Sequence, residues 1–163
     1  MAPVAGVIGA PPDAVAAVLA DPRSYDGVVV GSKRIRWFDA RWPEPGTQFH
    51  HSVGFGILHI RDRTTVVQDE LPRRLLLAVG IGPVGRAEVD FTLTPTDGGT
   101  RVEMREEPVS GPIKALWSPP LAAAMRARNT RALRRLEKLS RARAALRAID
   151  PPAGGPTAGP GAD

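Results

Sequence analysis

Four polar side chains interrupt otherwise apolar patterns in this chain: His51, Asp62, Glu106 and Asn129. Strict alternation puts His51 in phase with Phe49, Val53 and Phe55, Asp62 in phase with Leu58, Ile60 and Val66, and Glu106 in phase with Val102 and Met104. If Gly56-Ile57 is a two-residue turn of the type II′ kind, Phe55 pairs with Leu58, Val53 with Ile60 and His51 with Asp62, all on one face. A register slip of one residue would part the last pair. A His–Asp pair in apolar surroundings has an oriented, basic imidazole, and a buried carboxylate holds its proton more tightly. Such a set could abstract a proton beside a ketone or remove water from a β-hydroxy ketone. The same residues would serve structure alone if His51 and Asp62 satisfy each other and Glu106 bonds backbone groups of the 109–117 segment.

Other chemistries find less support. His50 and His59 fall on the outer face in this phase, so they cannot readily share an ion with inward His51, and no metal is expected. Gly80-Ile81-Gly82 lacks the strand-to-helix setting of a phosphate loop. There is no serine elbow and no cysteine nucleophile, and no cofactor is expected. Trp37 and Trp42 read as packing residues, whereas Trp117 lies near the expected mouth of any cavity.

The elements that must hold these residues follow from periodicity. Pro119 to about Leu146 is the one segment long and periodic enough for a principal helix, with Leu121, Met125, Ala132, Leu136 and Leu139 on one face. Asn129 lies at the edge of that stripe, about 20° from Leu136 and about 40° from Met125, so its amide should face whatever the stripe covers. Six period-two stretches precede the helix: Lys33 to Asp39, Thr47 to Phe55, Leu58 to Asp69, Arg73 to Ile81, Gly85 to Thr94 and Thr100 to Val109. Turn residues such as Pro95-Thr96-Asp97-Gly98-Gly99 separate them, as in an antiparallel meander. Their apolar phase includes Leu75, Leu77, Val79, Ala87, Val89, Phe91 and Leu93, and their other phase is charged. Ahead of them, residues 1 to 9, with Val4, Val7 and Ile8, could form a short first strand, and Pro11-Pro12-Asp13 starts a short helix that Asp21-Pro22 stops. Pro108 to Trp117 reads as an irregular apolar segment that could act as a lid.

The 163 residues suit one domain, 1–148, followed by a Pro/Gly/Ala tail, 149–163, with too little side chain to order. Hydrophobic content of 42% with 24% charged residues is that of a soluble globular protein. No apolar run approaches the roughly 20 residues of a membrane span, and the start lacks a secretory pattern, so a cytoplasmic location is expected. The net charge of +5 is uneven: Arg126 to Arg147 holds nine Lys or Arg against Glu137 alone. That stripe is either a solvated helix face or an anionic-surface patch; nucleic-acid binding is disfavoured because the helix carries no aromatic residue to stack on bases.

The order of strand, short helices, six strands and long terminal helix resembles the START-like SRPBCC superfamily, in particular its polyketide cyclase/dehydrase-type members. The resemblance rests on Ala10-Pro11-Pro12-Asp13-Ala14-Val15, Leu19-Ala20-Asp21-Pro22, Phe49-His50-His51-Ser52-Val53-Gly54, Glu106-Glu107-Pro108-Val109-Ser110-Gly111-Pro112 and Arg128-Asn129, across about residues 3 to 145. Where such proteins often have a tryptophan shortly after Ser24-Tyr25, this chain has Gly27 and valines. The resemblance implies an α+β helix-grip fold: a curved antiparallel sheet of about seven strands wrapped around the long helix, enclosing a cavity for apolar molecules.

The expected function is therefore binding of a hydrophobic small molecule, such as a lipid or polyketide, by a monomer or homodimer. Its expected lining is Phe49, His51, Val53, Phe55, Ile60, Asp62, Leu77, Val89, Phe91, Met104, Glu106, Trp117, Met125 and Asn129, with the polar members orienting the ligand. The alternative is a cyclase or dehydratase, the chemistry of aromatase/cyclase relatives, with His51, Asp62 and Glu106 catalytic. A third reading is anionic-surface binding by the arginine-rich helix.

Overall fold

The computed structural model describes residues 3–28, 32–55, 58–80, 82–115 and 118–149, and of residues 32–34, 52–55, 58–61 and 113 the backbone alone. The tail from 150 onward, the turn at 56–57 and Trp117 lie outside the described residues. The chain runs β1 (Val4–Ile8), α1 (Pro12–Leu19), a 3-10 turn (Pro22–Ser24), α2 (Tyr25–Val28), β2 (Ser32–Phe38), β3 (Gln48–Phe55) and β4 (Leu58–Glu70). It continues with β5 (Arg74–Gly80), β6 (Arg86–Thr96), β7 (Gly99–Ser110), α3 (Pro112–Ala115) and α4 (Pro119–Ile149). The seven strands form one antiparallel sheet in the order β1-β7-β6-β5-β4-β3-β2, an α+β arrangement consistent with the helix-grip fold.

The alternation fixes which face is buried. Phe49, Val66, Leu75, Leu77, Ala87, Val89, Phe91, Leu93, Val102 and Met104 all point inward and are buried. The other phase is wet and carries cross-strand ion pairs, such as the bidentate Arg74–Asp90 contact at 3.0 and 2.7 Å. Pairing follows the expected hairpin register, with Phe55 opposite Leu58, Val53 opposite Ile60 and His51 opposite Asp62. Register shifts in β2–β3 and at Val66–Gln68 in β4 add the local twist that curves a sheet.

Short helices close one end of the concave face. Pro12 suits the first turn of α1, where its missing N–H costs nothing, and Asp13 favours the positive end of the helix dipole. The carbonyl of Leu19 at the end of α1 accepts from the Tyr25 hydroxyl (3.0 Å) and from Trp42 Nε1 (3.3 Å). Tyr25, Trp42 and Phe49 then stack with ring centroids 4.8 to 5.7 Å apart, so Trp42 is a packing residue. Trp37, by contrast, stands on the outer face beside His50, 54% exposed. The segment 108–117 is less irregular than its composition suggests: β7 runs to Ser110 and α3 follows. Gly111, at φ +87°, packs so closely on Gly85 that no Cβ fits there.

The long helix packs differently from its simple stripe. Asn129, Ala132, Leu133, Leu136 and Ser140 are its buried residues, while Leu121, Met125 and Leu139 are only half-buried. The contact face is thus rotated toward Leu133 and Ser140, because α4 leans on α1, α2 and β1 and touches β7, so that it does not lie flat across the whole sheet. No residue from Pro119 to Arg128 is buried. Among the described residues, no helix is long and apolar enough to cross a membrane.

Candidate functional site

His51 enters the concave face from β3, where alternation from Phe49 makes it inward. It is 4% exposed, its ring centroid lies 5.4 Å from that of Phe49, and its Nδ1 has no hydrogen-bond partner among the described residues. Burial pushes the imidazole below its ordinary value of 6.5, against the upward pull of Asp62 and Asp26, so the ring is neutral at pH 7. A neutral imidazole can present Nδ1 as donor or acceptor according to its tautomer.

Asp62 stands directly opposite His51 in register, yet no hydrogen bond joins the two. Its carboxylate accepts from the backbone N–H of Arg63 at 2.7 Å and of Gly82 at 3.2 Å, which turns it along the β4–β5 side. Gly80 makes that position possible, since a Cβ there would occupy the place of Asp62 Oδ1. The pair therefore interacts through its field alone.

Glu106 and Asn129 do meet. Glu106, 3% exposed on β7, accepts from Arg128 Nη2 at 2.7 and 2.6 Å through its two oxygens and from Asn129 Nδ2 at 2.8 Å. Arg128 also donates to Asn129 Oδ1 from Nε and Nη2, each at 3.3 Å, closing a ring of three side chains. A carboxylate held by these donors anchors helix to sheet and is poorly placed to take a proton from a substrate. The partners are side chains of α4, and no backbone group among the described residues of the 109–117 segment is involved. Arg128 is the residue that pattern reasoning missed. It lies about 100° around the helix from Asn129, at the edge of the face that is buried, and its long stem carries the charge inward. The available signal was a buried acid at position 106 that required a counter-charge.

The concave face thus carries two separate polar stations. His51 on β3 and Glu106 on β7 are four strand positions apart, about 19 Å measured along the sheet. Between them lie Leu77, Val89, Phe91 and Met104, all buried, and Thr64, a buried polar residue on the same face as Asp62 that alternation from Asp62 would have found. Met125, in the first half of α4, is half-buried. The side chains of Val53, Phe55 and Ile60, and the whole of Trp117, lie outside the described residues. Among the described residues no three His, Asp or Glu side chains converge as metal ligands. An open groove of about 170 Å³ between β1 and α4, lined by Val4, Val7, Leu133 and Arg134 among others, contains none of the four polar residues.

The chain matches, over residues 4–141, the family model described as polyketide cyclase / dehydrase and lipid transport. No curated protein sequence matches it. In structure it is similar to a protein of Nitrosomonas europaea, at 17% identity over 88% of this chain and 96% of that one, with a TM-score of 0.69. A protein of Rhodobacter sphaeroides is similar at 20% identity over 85% and 90%, with a TM-score of 0.65. So is StfQ, a di-domain ARO/CYC from the steffimycin biosynthetic pathway, at 15% identity and a TM-score of 0.67, covering 91% of this chain and 51% of StfQ. Identities this low establish a shared fold and do not carry an activity across.

Proposed function

The chain belongs to the polyketide cyclase / dehydrase and lipid transport family, and from that premise we propose that it binds an apolar small molecule bearing a hydroxyl or carbonyl group. The ligand lies between the concave sheet and the first half of α4, with His51 Nδ1 as its orienting contact. One observation carries this reading: an imidazole withdrawn from water, neutral, with a ring nitrogen that no group among the described residues satisfies. Leaving such a nitrogen unpaired costs about 1–3 kcal/mol, a cost that a ligand's hydroxyl or carbonyl would offset. The unburied first ten residues of α4 support the same reading, because Leu121 and Met125 retain apolar surface that a ligand can cover.

The test uses an apolar fluorophore displaced by two competitors that differ only in one hydroxyl group. The wild type should prefer the hydroxylated competitor by about fivefold, the worth of one net hydrogen bond, and His51→Leu should bind both equally. Absence of fluorophore binding, or a preference that survives in His51→Leu, would reject the proposal.

The cyclase or dehydratase reading keeps one supporting observation, since a neutral imidazole with a free nitrogen is also what a general base requires. Glu106, enclosed by Arg128 and Asn129, gives it none. On an accepted substrate, His51→Gln should then abolish turnover while sparing binding; unchanged turnover removes the enzyme reading.

A further inference from the structure

The outward side of α4 changes character along its length. Arg131, Arg134, Arg135 and Lys138 are exposed there, and none of them makes an ion pair among the described residues. Over the last turns the same side becomes apolar: Ala142, Ala145, Leu146 and Ile149 are all exposed, Leu146 at 65% and Ile149 at 80%. At 100° per residue these four fall within an arc of about 100°, centred about 150° from the buried Leu133–Leu136–Ser140 face. Arg141, which pairs with Glu137 at 2.8 Å, and Arg143, which lies 3.9 Å from Asp21, stand on either side of this arc, and from Arg141 to Ile149 only Ala144 packs partly against the core. The helix therefore ends with an exposed apolar patch that continues the arginine stripe of the preceding turns.

Arginines at a helix C-terminus favour the dipole, which accounts for some of the charge. It does not account for leucine and isoleucine at two strongly exposed positions. A face meant only for water would be polar there, and a nucleic acid would leave the apolar patch wet. A second copy of this chain would bring one stripe of arginines against another. An anionic bilayer surface answers both features, with lipid phosphates for the guanidinium groups and the acyl boundary for Leu146 and Ile149.

We infer that the C-terminal tip of α4 is a docking surface for anionic membranes, inserting Leu146 and Ile149 at the headgroup boundary while the arginine stripe lies along the lipid phosphates. This docking does not depend on a ligand in the concave face. Its test is flotation of the full chain with vesicles of phosphatidylcholine alone and with about one third phosphatidylglycerol, at low and at physiological salt. The wild type should float with the anionic vesicles only, and less at higher salt. Leu146→Ser with Ile149→Ser should weaken binding about tenfold or more, since two insertable side chains are lost. Arg135→Glu with Lys138→Glu should abolish it. Both variants change exposed positions, and an unaltered thermal transition confirms that they fold. Failure to float with anionic vesicles at low salt overturns the proposal. So does vesicle binding untouched by the Leu146/Ile149 substitutions, or binding to duplex DNA that matches vesicle binding and is equally insensitive to them.

Discussion

His51 gives this protein a pH dependence whose sign follows from its burial. The folded imidazole titrates below its ordinary value of 6.5, chiefly because it is desolvated, while the unfolded chain takes up its proton near 6.5. As pH falls below 6.5 the unfolded state therefore binds more protons than the folded one, and stability is lost across the window down to the folded value. Thermal unfolding followed from pH 7.5 to 5 should show the wild type losing more stability than His51→Leu; parallel profiles would mean the ring is solvated. The Glu106 clamp sets a second expectation. Arg128→Ala leaves an acid that is 3% exposed with Asn129 as its remaining partner, and should cost about 2–3 kcal/mol in urea unfolding, the low end for a broken buried pair because Arg128 is itself partly exposed. Glu106→Gln with Arg128→Met should recover much of that loss, since both charges go together.

At the scale of the element, α4 does two jobs along one axis. Its middle and second half pack through Ala132, Leu133 and Leu136, on a helix that leans on α1, α2 and β1, while none of its first ten residues is buried. Truncation should separate the two. Leu136→Ala, at a fully buried position, should cost about 2–5 kcal/mol, measured by urea denaturation. Met125→Ala should cost under about 1 kcal/mol, because less apolar area leaves contact, yet weaken binding of the apolar fluorophore. Equal losses of stability at the two positions would mean that the first half of the helix is packed as tightly as the second.

For the whole molecule, ligand binding and stability are one linked quantity. A molecule held between sheet and helix touches the folded chain only, so at a free concentration one hundred times its Kd it should stabilise the fold by about 2.7 kcal/mol and raise the midpoint of thermal unfolding by several degrees. His51→Leu should reduce this shift for a hydroxylated ligand and leave it for the matching hydrocarbon. Calorimetry of the full chain with and without the ligand reads both.

Much of this architecture was legible beforehand because its causes are local. Alternation with period two assigned the inward faces of β3 to β7, and the Gly56-Ile57 spacing fixed the pairing of His51 with Asp62, since hairpin register depends on a few neighbouring residues. The periodic run after Pro119 marked α4, and Asn129 within its stripe marked the contact with the sheet. What local pattern could not supply is which inward polar groups touch. Sheet order, a matter of contacts between residues far apart in sequence, put His51 and Glu106 four strands apart; Gly80 drew Asp62 aside; and Arg128 reached in from the edge of the helix's buried face. The sequence by itself determined the elements, their faces and the helix charge, because backbone geometry repeats every two or 3.6 residues. Only the tertiary structure decided that Glu106 is enclosed by donors while His51 keeps an open nitrogen, because a hydrogen bond depends on where two distant pieces of chain bring their atoms.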